Sequence, residues 1–167
     1  MKTIYLMRHA KSSWKKPLAD HERPLKKRGR KAAKKIGEYL AKRDIHFDLL
    51  ISSDARRAVE TTRIVSKALG EKVSSVVIIN TLYGASPNDI LSVIADIDDS
   101  IESVLLVGHN PDISRAAVIL SGENDLDWMP TAAIAGIVSN YTHWKDFARN
   151  GGELVCYATP RTLDGES

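Results

Sequence analysis

Two histidines stand after short apolar runs of the sequence. Arg8 and His9 follow the run 4–7, and His109 follows the run 104–107 after one intervening glycine. A neutral imidazole is a competent nucleophile, and a second imidazole can donate a hydrogen bond to charge that develops during the attack. If the two runs are neighbouring strands, both rings face one substrate, and the sequence predicts nucleophilic catalysis there.

Arginines accompany these histidines. Arg8 precedes His9, and Arg56 and Arg57 lie near the first turn of a predicted helix that follows a third apolar run, 49–51. A guanidinium fork matches the oxygens of a phosphoryl group, and helix N-termini favour anions. Phosphoryl transfer depends chiefly on positioning and charge, so we expect Arg8 and one of the later arginines to hold a phosphoryl group without a metal or cofactor.

The elements that must position these side chains alternate between strand and helix. Apolar runs predict strands at 3–7, 48–51, 76–79 and 103–107. Helical spacing and cap residues predict helices at 27–43, 54–69, 87–95 and 111–120. The last third of the chain differs, because two strands, 132–140 and 153–158, are predicted to form a hairpin around a turn at 150–152.

This alternation predicts an α/β fold, a three-layer α/β/α sandwich with a mostly parallel central sheet and an antiparallel edge hairpin. In such open sheets, ligands bind beyond the carboxyl ends of the strands. The residues that follow the apolar runs are therefore expected to share one crevice.

Size and composition indicate a globular protein. The chain has 167 residues, of which 43% are hydrophobic, and this predicts a single domain at 1–160 with a polar tail, 161–167, that frays. The first apolar run is too short for a secretory segment, and no run approaches the length of a membrane span. Cys156 is the single cysteine. We therefore expect a cytoplasmic protein without a disulfide and without a membrane partner.

Positive charge is concentrated in the first quarter of the chain. Residues 1–43 contain fifteen Lys or Arg and three acids, a local charge of +12, whereas the whole chain carries +3. Such a segment indicates an anionic partner, although the run Lys26–Lys35 also fits a solvated helix face. This run lacks interleaved aromatic residues and any recognised nucleic-acid motif, so no nucleic-acid partner is expected.

Four segments resemble, in order, the motifs of the histidine phosphatase superfamily. Residues 3–10 resemble its opening strand and Arg-His-Gly motif, 52–61 resemble its Ser-Pro-x-x-Arg-Ala-x-Gln-Thr motif, 107–109 resemble the third motif, and 129–135 resemble the segment before the last strands. The short chain and the segment 20–25 are similar to the compact, SixA-like branch. The resemblance implies a phosphoglycerate mutase-like fold.

The resemblance also implies roles for individual residues. His9 would be the nucleophile that forms a phosphohistidine intermediate, Arg8 and Arg57 would clamp the phosphoryl oxygens, and His109 would complete the pocket. Arg57 is preferred over Arg56 because only Arg57 aligns with the family's arginine.

Three further residues are candidates for substrate binding. Arg23 lies in the segment that resembles the compact branch, and a loop salt bridge is the alternative for it. Ser12 can donate to phosphate, with a loop turn as its alternative. Tyr83 can line the pocket, with core or surface packing as its alternative.

Two departures from the family pattern are visible. Ala10 replaces the usual glycine and would be strained if that position required a positive φ. The region 81–87 lacks the glutamate that mutase-like relatives use as a general acid, which leaves Asp20, Glu22 or no residue in that role. Phosphohistidine, whose imidazole leaves readily, is favoured over substrates that leave as alkoxides.

The leading hypothesis is a metal-independent phosphatase that acts through a covalent phosphohistidine, with phosphohistidine in a histidine-containing phosphotransfer protein as substrate. The alternative enzyme is a small-molecule phosphomonoesterase that acts on sugar or nucleotide phosphates. An alternative of another class is a non-catalytic module that binds phosphate or nucleic acid.

Overall fold

A six-stranded sheet lies at the centre of the protein. The computed structural model describes residues 1–71 and 75–165. The strands are β1 (Lys2–Arg8), β2 (Leu49–Ser53), β3 (Val76–Ile79), β4 (Ser103–Gly108), β5 (Ile134–Ser139) and β6 (Glu153–Ala158). Their order is β3-β2-β4-β1-β5-β6. β3, β2, β4 and β1 are mutually parallel, while β5 and β6 are antiparallel at one edge, so the predicted mixed sheet is confirmed.

Helices pack on both faces of this sheet. They are α1 (Lys27–Lys42), α2 (Arg56–Ala68), α3 (Pro87–Ala95), α4 (Asp112–Ser121), α5 (Trp144–Asn150) and α6 (Pro160–Asp164). Ser86 caps α3 with a reciprocal capping box, as its position before Pro87 predicted. In the described part of the chain, no helix is both long enough and apolar enough to cross a membrane.

Alternate residues of β1 divide the core into two halves. Ile4 and Leu6 pack with α3, α4 and α5 on one face, whereas Tyr5 and Met7 pack with α1 and α2 on the other. Successive side chains of a strand point to opposite faces, so a strand covered on both faces must be apolar at every position. The three predicted layers are confirmed.

The connection between β5 and β6 differs from the prediction. The strands pair antiparallel, as predicted, but their connection is more than a turn at 150–152, because α5 lies between them. The rings of Trp144 and Phe147 are fully buried and stack at 5.6 Å. A helix of seven residues has too few turns to show helical periodicity, so its sequence does not predict a helix.

Part of the polar tail for which fraying was predicted is helical. Residues 160–164 form α6, which Thr159 caps through a hydrogen bond from the backbone of Thr162. Residues 166 and 167 of the predicted tail lie outside the described residues.

Gly29 brings α1 against the loop that follows β1. A Cβ added to Gly29 would lie 2.1 Å from the carbonyl oxygen of Lys11, and that oxygen accepts a hydrogen bond of 2.9 Å from the backbone of Lys26. Any side chain here would force the helix away from the loop. Gly29 therefore holds the segment after His9 in place through a close backbone contact.

We expect Gly29→Ala to lower the free energy of unfolding by about 1–3 kcal/mol, although alanine ordinarily stabilises a helix. The added methyl group must displace backbone rather than a flexible side chain. Urea unfolding measures the change, and Lys31→Ala on the exposed side of α1 is the control. A Gly29→Ala protein as stable as the parent would contradict the close approach.

Candidate active site

The ends of β1 and β4 lie side by side. Arg8 is opposite Gly108 in the parallel register, and the next residue, His9, donates its backbone N–H to the Gly108 carbonyl at 3.0 Å. The rings of His9 and His109 are 5.1 Å apart between centroids and inclined by 53°. The structure thus brings the two sequence-predicted histidines together.

These rings open onto a pocket of about 350 Å³. Its described lining contains five Lys or Arg side chains and no carboxylate; the lining residues are Arg8, His9, Lys11, Ser12, Trp14, Arg23, Lys26, Arg57, His109, Asn110 and Thr131. In residues 1–71 and 75–165, no group of three or more His, Cys, Asp or Glu side chains is placed to hold a metal ion. The concentration of cations suits the pocket to an anion of phosphate size.

His9 is held as a neutral imidazole. Its Nδ1 lies 2.7 Å from the Ala10 carbonyl oxygen, to which it donates, so the lone pair of the neutral ring is on Nε2. Burial, opposed by the hydrogen bond to Ala10 and assisted by His109, Arg57 and Arg8, lowers the pKa of His9 to about 3. The ring is therefore unprotonated at neutral pH, and Nε2 can attack an electrophile.

His109 has the opposite arrangement of its ring nitrogens. Its Nε2 lies 2.8 Å from Oγ of Ser53, which also accepts from the backbone of Ala55 and has a proton that it can donate to Nε2. Burial, with Arg57 next, lowers the pKa of His109 to about 4. In the tautomer that accepts from Ser53, the neutral ring carries its proton on Nδ1, a buried atom without a partner among the described residues. This N–H can donate to a substrate oxygen.

Arg8 and Arg57 retain donors for a ligand. Arg8 donates from Nη1 to the Met129 carbonyl at 3.1 Å, and Arg57 donates from Nη1 to the Asp20 carbonyl at 2.7 Å. The Nε atom of each is buried and has no hydrogen-bond partner in the part of the chain that the structure describes. Burial, and then the charge of Arg57, lowers the pKa of Arg8. An anion in the pocket would satisfy these N–H groups and relieve the repulsion.

Arg56, which the sequence left as the other candidate clamp, lies outside the pocket. Its side chain is half exposed and lies 3.7 Å from Glu60, whereas Arg57 is only 6% exposed and lines the pocket. The preference for Arg57 thus agrees with the geometry.

Thr61 connects α2 to the loop after β1. Its Oγ1 donates to the Arg57 carbonyl at 2.7 Å and accepts from the Ala10 backbone at 2.9 Å. Among the described non-glycine residues, only Asp44 and Ala132 have a positive φ, so the strain considered for alanine at position 10 does not arise. Sequence reasoning missed this role for Thr61.

Residues 129–132, which precede β5, hold the site residues through backbone hydrogen bonds. Asn110 donates from Nδ2 to the Met129 carbonyl at 2.8 Å, which also accepts from Arg8. Ala132, with a φ of 64°, donates its N–H toward the carbonyls of Arg8 and His9 at 3.1 Å each. Asn110 was missed as a pocket residue, although its place directly after His109 was an available signal.

Asp20 joins two of the predicted arginines. Its carboxylate accepts from Arg57 at 3.0 Å, from Arg23 at 3.1 Å and from the hydroxyl of Tyr83 at 2.7 Å. The hydrogen bond from Tyr83, followed by those from the arginines, lowers the pKa of Asp20 to about 2. A carboxyl group that stays ionised at neutral pH is a poor proton donor, so these contacts disfavour Asp20 as the general acid. Glu22 is exposed and lies 3.2 Å from His21.

The three candidates for substrate binding do not all line the pocket. Ser12 and Arg23 are buried and line the pocket, and Arg23 stacks on Trp14 at 3.4 Å. Tyr83 is not among the lining residues; it donates to Asp20 and sets its ring edge-on to His109 at 5.6 Å. Its contacts indicate support of the site rather than direct substrate contact.

Comparison with known proteins agrees with this geometry. The sequence profile of the histidine phosphatase superfamily (branch 1) matches residues 4–80. An uncharacterised protein of Mycobacterium tuberculosis is 30% identical over 164 residues, which are 93% of this chain and all of that protein. A candidate phosphohistidine phosphatase SixA of Agrobacterium tumefaciens is 30% identical, with a TM-score of 0.81 over 95% of this chain and 98% of that one. The chain belongs to the histidine phosphatase superfamily.

Within this superfamily, the SixA-like fold extends over almost the whole chain. The structure of the protein histidine phosphatase SixA with tungstate has a TM-score of 0.83 and covers 96% of this chain at 20% identity, which is a likeness of fold. A broad-specificity phosphatase of Saccharomyces cerevisiae is 37% identical over 67 residues, 38% of this chain and 29% of that protein. The phosphoglycerate mutase-like fold is confirmed.

The lowered pKa of His9 makes stability depend on pH. Below pH 6.5 the unfolded chain protonates this histidine while the folded protein does not, so stability falls as the pH drops from 6.5 toward about 3. Between pH 7 and pH 5 the parent should lose about 2 kcal/mol more free energy of unfolding than His9→Asn. Urea titrations at the two pH values measure this, and equal losses in both proteins would contradict a neutral His9.

The charge of Asp20 opposes anion binding in the pocket. In Asp20→Asn the carboxylate beside Arg57 becomes neutral but keeps an oxygen and its size, so inorganic phosphate should bind about 3- to 10-fold more tightly. Isothermal titration calorimetry measures the dissociation constant, with the exposed Asp125→Asn as control. Weaker binding in Asp20→Asn would show that the carboxylate mainly orients Arg57.

Proposed function

We propose that this chain is a phosphatase that forms a covalent phosphohistidine on His9 and acts on phosphohistidine in a phosphotransfer protein. The observation that carries the proposal is the neutral His9, whose Nδ1 is bound to the Ala10 carbonyl and whose Nε2 is left as the nucleophile, in a pocket lined by five cations. Arg8, Arg57 and His109 supply N–H groups for the oxygens of the phosphoryl group.

In the first step, Nε2 of His9 attacks phosphorus as the bond to the leaving group breaks, and the leaving group keeps the electron pair of that bond. The ring becomes positively charged as the P–N bond forms. Its Nδ1–H donates to the Ala10 carbonyl and so stabilises this charge. Arg8, Arg57 and His109 stabilise the charge on the phosphoryl oxygens.

In the second step, a water molecule attacks phosphorus and the P–N bond breaks. The electron pair of that bond returns to Nε2, one proton of the attacking water passes to the solvent, and phosphate leaves the pocket. His9 is again neutral because burial and the neighbouring cations disfavour its protonated form. No metal ion is needed, since the guanidinium groups supply the positive charge.

The surroundings of the pocket favour a substrate with a good leaving group. Asp20 is held ionised by Arg57, Arg23 and Tyr83, and no carboxylate is among the described lining residues. A phosphoserine would leave as an alkoxide and would need a proton at once. Phosphohistidine that is protonated on its second ring nitrogen releases neutral imidazole, which needs no proton from the enzyme, and it is therefore the favoured substrate.

A small-molecule phosphomonoesterase is the second candidate, because part of the chain is similar to a broad-specificity phosphatase. Relative turnover of a phosphohistidine protein and a sugar phosphate distinguishes the two. The cytoplasm as the site of action stays a prediction.

His9→Ala should lower turnover of an aryl phosphate by several orders of magnitude, because the covalent intermediate cannot form. A colorimetric phosphate-release assay measures the loss. Activity of the parent should persist in EDTA if no metal takes part.

Covalent trapping tests directly whether the phosphoryl group is transferred to His9. Parent protein mixed with labelled substrate and quenched in alkali should carry the label on His9, since phosphohistidine survives alkali and hydrolyses in acid. His46→Ala, which changes an exposed histidine away from the pocket, should be labelled like the parent. Full turnover in His9→Ala, or label on another residue, would overturn the proposed mechanism.

A further inference from the structure

A second and larger concavity adjoins the candidate active-site pocket. It measures about 890 Å³, against about 350 Å³ for the pocket, and Trp14 and Lys26 line both. We call it the basic groove, since its described lining contains seven cations and no carboxylate; the cations are Lys15, Lys16, Lys26, Lys27, Arg28, Arg30 and Arg56. A groove continuous with the pocket can hold the part of a substrate that flanks the phosphoryl group.

Most of this charge is not neutralised within the protein. Glu60 pairs with Arg30 at 3.2 Å and with Arg56 at 3.7 Å. The other five cations of the groove form no ion pair with a described residue. Like charges held together repel one another and lower stability, and a bound anion removes this repulsion.

The start of α1 adds to the positive field. No acidic residue lies in its first turn, and Lys26, at the cap position, makes no side-chain capping bond. Acids are favoured at this end of a helix because the backbone dipole is positive there. Lys27 and Arg28 instead place further positive charge at that end, so the local sequence favours an anion that comes from outside the chain.

The positive surface extends beyond the reach of a small ester. A concavity of about 510 Å³ on another side of α1 is lined by Lys11, Arg28, Lys31 and Lys35, among others, and Asp164 pairs with Lys35 there. Arg28 lines this concavity as well as the basic groove. From Arg28 to Lys35 the helix rises about 10 Å, so one phosphate ester cannot contact the whole surface. Such a length suits a macromolecule.

We infer that the basic groove docks an acidic segment of the substrate protein, next to its phosphorylated residue; this rests on the phosphatase function proposed above. The groove has few aromatic side chains, and this favours protein carboxylates over nucleic acid as the groups that it binds. Trp14 is the one aromatic side chain in its described lining, and Arg23 occupies a ring face at 3.4 Å. A platform on which bases could stack is therefore lacking.

Binding is tested first, without catalysis. A fluorescein-labelled hexaglutamate peptide is titrated with the parent, with K15E/K16E/K27E, and with the control R63E/K67E/K145E, which has the same net charge but changes exposed residues outside the groove. Fluorescence anisotropy should show binding to the parent and the control, and at least about tenfold weaker binding to the groove variant. Binding to the parent should weaken as salt is raised.

Turnover is tested with two phosphohistidine peptides, one flanked by glutamates and one by glutamines. The groove variant should have a KM for the glutamate peptide raised about tenfold, with kcat within about twofold of the parent. Its turnover of the glutamine peptide and of an aryl phosphate should match that of the control, because the altered lysines do not line the pocket.

Three results would overturn the docking site. The first is no binding of hexaglutamate to the parent, the second is equal weakening in the groove variant and the control, and the third is tighter binding of a duplex oligonucleotide than of hexaglutamate. Failure of the parent to hydrolyse the aryl phosphate and both peptides would instead overturn the proposed function, and the binding titration would still decide whether the groove takes acidic segments.

Discussion

The parallel pairing of β1 with β4 places Arg8 opposite Gly108, and the site depends on that register. Because both strands end at the same edge, His9 and His109 leave the sheet side by side. A shift of one residue would turn alternate side chains to the other face of a sheet that is covered on both faces, and would separate the rings. The apolar residues of both faces therefore fix the distance between the two imidazoles.

The electrostatics of the pocket follow from this convergence. Burial, with the nearby cations acting after it, lowers the pKa of both imidazoles, so both rings are neutral at pH 7. Asp20 offsets part of the charge and is held ionised by its partners. Arg57 and Arg8 add to the effect of burial on the pKa of His9, and the same two guanidinium groups attract an anion to the pocket.

Patterns of local sequence predicted the sheet, the helices around it and the positions of Arg8, His9 and His109. These features depend on apolar runs and helix caps, which can be recognised within a stretch of a few residues. The same patterns did not predict α5, which is too short for a visible period, or the helical end of the chain. The partners of Asp20 and the bridging role of Thr61 could not be predicted from local sequence either. Arg57 lies 37 residues from Asp20, and Thr61 lies 51 residues from Ala10, so only the folded chain brings these groups together.

The position of β1 within the sheet has a consequence for biosynthesis. Its neighbours are β4 and β5, both of which come much later in the chain; Thr3 pairs with Ser103, and Lys2 pairs with Ser139. A ribosome must therefore deliver most of the chain before β1 has either partner, and the closure of such distant contacts is slow. The strand that precedes His9 therefore has no sheet partner until β4 has been synthesised. During that time it is an unpaired apolar segment, which favours aggregation.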